Sequence, residues 1–172
     1  NWTSADPTLA VGEFGFESDT GKLKIGDGST AWTSLAYLGG DTQYHYMQHA
    51  WYNGGTNDYY IPFGPSTVES ANTTDSFIDD VFWVAPFSGK LVTAYLYSDS
   101  DTGSTDMKLR VNGTLGATML GGGVVNCNAD KTVFTFTCDQ NNTFSAGDVI
   151  NLYMDITNQQ NQATMSTKWE IT

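Results

Sequence analysis

The sequence predicts an all-β protein in which a segment of short β pieces is followed by an antiparallel β-sandwich of jelly-roll type. Three observations lead there. Apolar and hydroxyl residues alternate with period two in one run after another, most clearly in Val133-Phe134-Thr135-Phe136-Thr137. Aromatic residues make up 13% of the 172 positions and charged residues only 15%, with Thr, Asn, Ser and Gly filling the difference, a mixture suited to half-buried strands and tight turns. Clusters of Gly, Pro, Asn and Asp separate the runs, and no window carries a convincing helical period.

Composition changes near Gly39-Gly40, so a boundary is expected there, with one module at residues 1–40 and a second domain at 41–172. In the first module, Glu13 to Glu17 and Lys22 to Ile25 read as the two arms of a hairpin. Ser18-Asp19-Thr20-Gly21 is the turn between them. A second turn is expected at Gly26-Asp27-Gly28-Ser29-Thr30. So small a segment has too little apolar mass to bury a core alone, and copies of itself or another chain must cover it. In the second domain eight strands are expected, at residues 44–52, 59–63, 76–84, 90–97, 107–111, 131–137, 149–156 and 163–171. That number and spacing imply two packed sheets.

Net charge is −12, the pI is about 4.1, and seven basic residues lie scattered along the chain. Phosphate recognition concentrates Lys and Arg, so nucleic acid is not an expected partner, and neither is an anionic lipid surface. No apolar stretch approaches the ~20 residues of a membrane helix. The chain begins at Asn1 without a basic and apolar leader, which reads as a fragment or a processed product. Cys127 and Cys138 could bridge neighbouring strands or remain free thiols.

The first module resembles a module common in phage tail fibres, related to the N-terminal domain of the phage major tropism determinant. The resemblance is carried by Trp2, Ala5 to Leu9, Gly12 to Glu17, Asp19 to Trp32, and Leu35 with Tyr37-Leu38, nearly all of residues 2–38. It implies a small trimeric β-prism that connects a fibre to what it carries, with Phe14, Phe16, Ile25 and Trp32 as apolar faces meeting near a three-fold axis. Asp27 is expected to form the turn between Gly26 and Gly28. Residues 41–172 are similar to the jelly-roll heads of the tumour necrosis factor and complement type. The similarity lies in Phe82-Trp83-Val84-Ala85-Pro86-Phe87-Ser88-Gly89-Lys90-Leu91 and Phe144-Ser145-Ala146-Gly147-Asp148-Val149-Ile150. Such heads cap many phage fibres.

Little chemistry is visible. Glycoside hydrolysis needs two carboxylates about 5–10 Å apart, and the candidates are Asp79-Asp80, Asp99 with Asp101, and Asp155. Adjacent residues of a strand face opposite ways, so Asp79 and Asp80 pair poorly. The stretch from Asp99 to Asp106 alternates oxygen ligands as a hard cation would want, but lacks the spacing of a calcium loop and reads as a solvated hairpin. His45 and His49 would stand about 13 Å apart on a strand, too far to share one metal. Phosphate-loop, nucleophile-elbow and zinc-cysteine patterns are missing. No metal, cofactor or catalytic residue is therefore expected, and the chain is read as no enzyme. Aromatics beside Asn53-Gly54-Gly55, namely Trp51, Tyr52, Tyr59 and Tyr60, are candidates for binding a host glycan or protein; the competing reading places them in the core or at a trimer interface.

The functional expectation is a homotrimeric bacteriophage fibre or spike protein in the virion, joined to other virion proteins through its first module and involved in host-surface recognition. Two alternatives stand beside it: a purely structural capsid-decorating fibre or adaptor, and a polysaccharide depolymerase.

Overall fold

A computed structural model describes residues 2–39, 42–52, 58–63, 82–158 and 162–172. The chain divides into two compact units, Asn1–Gln43 and Tyr44–Thr172. The first holds a single helical turn, α1 (Trp2–Ala5), and a hairpin of β1 (Phe14–Glu17) and β2 (Lys22–Ile25). Gly21 closes that hairpin with a positive φ of 71° and an N–H that donates to the Glu17 carbonyl at 2.8 Å. Among the described residues no helix is long and apolar enough to cross a membrane.

The second unit is built from β3 (Gln43–Tyr52), β4 (Asp58–Ile61), β5 (Trp83–Val84), β6 (Gly89–Ser98) and β7 (Gly103–Val111), then β8 (Thr114–Thr118), β9 (Val125–Cys127) and β10 (Thr132–Thr137). After these come β11 (Thr143–Phe144), β12 (Val149–Ile156) and β13 (Gln162–Ile171). Pairing is nested from the outside in. β3 lies beside β13, β4 and β5 beside β12, β6 beside β10 and β11, and β7 beside β8 and β9. Contacts of β13 with β6 and of β12 with β7 then gather these pairs into two antiparallel sheets, ordered β10-β6-β13-β3 and β4-β12-β7-β8. Nested antiparallel pairs folded into two sheets make a jelly-roll sandwich.

Alternation decides which side chains meet between the sheets. Leu91, Ala94 and Leu96 of β6 and Met165 and Trp169 of β13 face Met107 and Leu109 of β7 and Ile150, Leu152 and Met154 of β12, all in one buried cluster. One end of that cluster is aromatic. The fully buried Trp169 ring lies 5.7 Å from Trp83, 5.6 Å from Phe144 and 6.2 Å from Phe63. The ladder between β13 and β6 slips at this point, Lys168 opposing Thr93 and Trp169 opposing Leu91, so Val92 bulges out. Gly89 is required next to it, because a Cβ there would stand 2.2 Å from the Glu170 carbonyl oxygen.

The structure moves several expected boundaries. The strand expected at 107–111 starts at Gly103, so the second half of the Asp99–Asp106 stretch is strand rather than loop. Its carboxylates already hold donors. Asp101 accepts from the Gly103 N–H at 2.6 Å, Asp99 from the Gln162 N–H at 2.9 Å, and Asp106 from the Thr118 hydroxyl and the Met107 N–H. Among the described residues no group of three His, Cys, Asp or Glu side chains gathers. Of the strand expected at 76–84 only Trp83 and Val84 are strand within the described residues; Asp79 and Asp80 lie outside them.

One polar network in the core runs through His49. Buried His49 contacts the Pro62 carbonyl through Nδ1 at 2.8 Å and the Thr167 hydroxyl through Nε2 at 2.9 Å. A carbonyl can only accept, so Nδ1 carries the proton and Nε2 accepts from the hydroxyl, which in turn accepts the Trp169 indole N–H at 2.8 Å. Burial disfavours the charged ring and holds its pKa below the ordinary value. The unfolded chain then takes up a proton more readily than the folded one as pH falls below about 6.5, so His49 stabilises fully above that pH and progressively less beneath it. Thermal unfolding should show a lower melting temperature at pH 5 than at pH 7. His49→Gln, although less stable at pH 7, should show a smaller drop.

Cys127 and Cys138 are free, buried thiols. Desolvation raises both, and the Cys138 thiol is pushed up to about 12. The folded protein should give no reaction with a thiol-specific chromogenic reagent at pH 8, and two equivalents should react in denaturant without prior reduction.

Candidate attachment site

The hairpin of the first unit separates its two faces sharply. Opposed residues share a face, and here Gly15 opposes Lys24 while Phe14 opposes Ile25 and Phe16 opposes Leu23. Gly15 and Lys24 are buried against Trp32, which with Leu9 and Leu35 forms the unit's three-residue core. Gly15 is the only residue type that fits there, since a Cβ would come within 2.2 Å of the Trp32 ring and 2.7 Å of the Trp2 ring. The two indoles meet edge to face at 4.7 Å.

Lys24 is 3% exposed yet well partnered. Its ammonium donates to the Trp32 carbonyl at 2.8 Å and stands 4.3 Å from the Tyr37 ring centre and 4.8 Å from that of Trp32. The Tyr37 hydroxyl donates to Glu17 at 2.7 Å, as does Thr20 at 2.8 Å. These bonds, aided by Lys24 and Lys22, hold the Glu17 carboxyl below its usual range. Asp27 accepts from the Ser29 and Thr30 amides at 2.9 and 2.7 Å and from both hydroxyls, which holds its pKa well below the ordinary value. It is the turn former between Gly26 and Gly28.

The opposite face of the hairpin is uncovered. Phe14 and Phe16 are 64% and 63% exposed, and Ile25 and Leu23 beside them are half-buried. Phe16 also lines a groove together with Trp2, Glu17, Asp19, Trp32 and Tyr37. Of the four apolar residues expected to meet near a three-fold axis, Phe14, Phe16 and Ile25 stand on one side of the hairpin, whereas Trp32 fills the unit's own core because Gly15 leaves room for its ring. Lys24, Tyr37 and Glu17 were among the residues that carry the resemblance, but the sequence assigned them no role of their own. The signal for Lys24 was available, as a cation at the inward position of a four-residue strand.

The aromatics expected at loops of the second unit are placed differently. Trp51 is 3% exposed and packs in the sandwich core. Tyr60 is 4% exposed, 5.1 Å from the ring of Tyr153, with the Arg110 guanidinium 5.6 Å from its ring centre. Both are structural rather than exposed loop contacts. Tyr52 and Tyr59 belong to β3 and β4, but their side chains lie outside the described residues, as do Asn53-Gly54-Gly55.

The first unit thus combines exposed Phe14 and Phe16 with a three-residue core. Residues 1–30 match the family model described as the major tropism determinant N-terminal domain. Over 39 residues the chain is 49% identical to a hyaluronoglucosaminidase of Streptococcus pyogenes phage H4489A. That stretch is 23% of this chain, and the chain spans about a tenth of the length of that relative. Both comparisons support a virion-associated phage fibre or spike protein.

Proposed function

We propose that the chain is a homotrimeric, non-enzymatic fibre or spike protein. In this reading residues 1–40 join copies to each other and to neighbouring virion proteins, and residues 41–172 form a head that recognises a glycan or protein on the host surface. The carrying observation is the face of exposed Phe14 and Phe16 beside half-buried Ile25, on a unit whose own core is Leu9, Trp32 and Leu35. Leaving such a face in water is unfavourable by roughly 25 cal/mol per Å², and closed symmetry is the usual way to cover it. The nested sandwich supports a head of the tumour necrosis factor and complement type.

The hyaluronoglucosaminidase relative keeps a depolymerase reading in view. The carboxylates of Asp106 and Asp155 share Lys108, at 3.6 and 3.7 Å, which favours the non-enzymatic reading for that pair. Sedimentation of the purified chain should give three times the 18.7 kDa of one copy. The same material should compete with phage for adsorption to host cells and release no reducing ends from hyaluronan. Failure to bind any host surface would leave the structural adaptor as the better reading.

A further inference from the structure

The groove of the first unit combines two kinds of side chain. It is lined by the rings of Trp2, Phe16, Trp32 and Tyr37 and by the carboxylates of Glu17 and Asp19. Its volume of about 520 Å³ lies within the range of small-ligand clefts and admits one long side chain. The Trp2 ring is 44% exposed. The Tyr37 and Thr20 hydroxyls both donate to Oε2 of Glu17, at 2.7 and 2.8 Å, which fixes that carboxylate in place. Asp19 is exposed in the hairpin turn, and among the described residues no hydrogen bond or ion pair engages it. The nearby lysines are committed elsewhere. Lys24 is buried on the Trp32 carbonyl, and the Lys22 ammonium stands 4.6 Å from the Tyr37 ring centre. Residues 1–40 carry five carboxylates against these two lysines, so the groove belongs to an acidic surface.

We propose that this groove receives an arginine side chain from a neighbouring virion protein, its guanidinium held by Glu17 and Asp19 and laid against the Trp2 ring. This assignment rests on the reading of residues 1–40 as the part that joins virion proteins, and adds the chemistry of the joint. Rings beside carboxylates suit a cation, which gains from the ring faces and from the negative charge together. A guanidinium suits them better than an ammonium, because its plane stacks on a ring while its fork of donors bonds carboxylates. The acidic surroundings repel an anionic ligand and attract a basic one. A second copy of the chain cannot supply the group. The single arginine of the 172 residues, Arg110, is 4% exposed in β7 and donates to the Gly113 carbonyl at 2.9 Å. The occupant therefore comes from a different protein, and an arginine set among aromatic residues is a common anchor point between proteins.

The test is an NMR titration of the full chain with N-acetyl-arginine amide, read from the Trp2 indole N–H and the Asp19 amide. Both signals should move saturably at millimolar concentration. The uncharged urea analogue, N-acetyl-citrulline amide, should leave them in place. Asp19→Asn should raise the dissociation constant about three-fold, as the loss of one exposed ion pair allows. Asp19→Lys should raise it about ten-fold, by repulsion of the guanidinium. Neither variant touches the unit's core, so the Trp32 indole signal should stay where it is. Glu17→Gln, which keeps an oxygen to accept from Tyr37 and Thr20, should also weaken binding. An equal response to the citrulline amide, no saturable shift up to tens of millimolar, or undiminished binding by Asp19→Lys would each overturn the proposal. So would movement of the same signals by N-acetylglucosamine in place of the arginine amide, which would make the groove a saccharide site. All of these results leave the trimeric reading intact; that reading fails separately if the chain sediments as a monomer at tens of micromolar.

Discussion

Trp169→Ala should destabilise the sandwich by about 3–5 kcal/mol, the range expected when a fully buried tryptophan is emptied from a packed core. That is a large share of the ~5–15 kcal/mol that holds a domain folded. The ring is in contact with Trp83, Phe144 and Phe63, which come from three different parts of the chain. Truncation leaves a cavity walled by stiff aromatic rings that cannot collapse into it. It also removes the indole N–H from the Thr167 hydroxyl, the group that donates to His49. The loss should appear in denaturant unfolding as a midpoint shifted down at constant slope. Trp169→Phe, which restores most of the volume but not the N–H, should recover more than half of it. A loss below about 1 kcal/mol would mean that the cluster repacks, and that the aromatic end of the sandwich is not the rigid element its ring contacts indicate.

Trp169 also shows where the sequence was informative. The strands that carry the core announced themselves because alternation is dictated by burial on one side: residues 149–156, 90–97 and 163–171 were legible to within a residue or two. The strands that escaped notice, Thr114–Thr118, Val125–Cys127 and Thr143–Phe144, are short and pair at the periphery, two of them off the main path of a sheet. There hydrogen bonding to a neighbour substitutes for an apolar pattern. The nested pairing order was not legible, because it depends on contacts between residues up to about 120 positions apart, as in the Thr167 hydroxyl near the Met47 carbonyl.

The candidate sites divide along the same line. In the hairpin, the resemblance named Phe14, Phe16, Ile25 and Trp32 together, and the antiparallel register places the first three on one side. Trp32 follows no strand period, and its inward position depends on a glycine seventeen residues earlier. Near Asn53-Gly54-Gly55, adjacency in sequence suggested exposure for Trp51 and Tyr60, yet both sit in strands whose neighbours cover them. Exposed tyrosines were present as pairs two apart, Tyr44 with Tyr46 and Tyr95 with Tyr97. That they share one sheet surface could not be read from either pair alone, because it depends on β3 and β6 standing in the same sheet.

The largest effect in the first unit should come from the smallest side chain. Gly15→Ala places a methyl group 2.2 Å from Cζ3 and 2.8 Å from Cη2 of Trp32, and 2.7 Å from Cζ3 of Trp2. Trp32 has little freedom to retreat. It is 2% exposed, its N–H donates to the Pro7 carbonyl at 2.9 Å, and its carbonyl holds the buried Lys24 ammonium. Overpacking of this kind costs about 1–3 kcal/mol. A unit with a three-residue core has little stability to lose, so residues 2–39 should unfold while the sandwich melts as before. Limited proteolysis should cut the variant within residues 2–39 under conditions that leave the wild type whole. If the first unit joins the copies, the variant should also dissociate at higher concentration. Trimming the offending ring tests the cause: Gly15→Ala with Trp32→Phe should cost clearly less than the sum of the two single changes, because the second removes the atoms that the first strikes. Additive losses would mean that the methyl group is accommodated by a shift of the hairpin. In that case the Phe14 and Phe16 face would move with it, and assembly would weaken even though the unit stays folded.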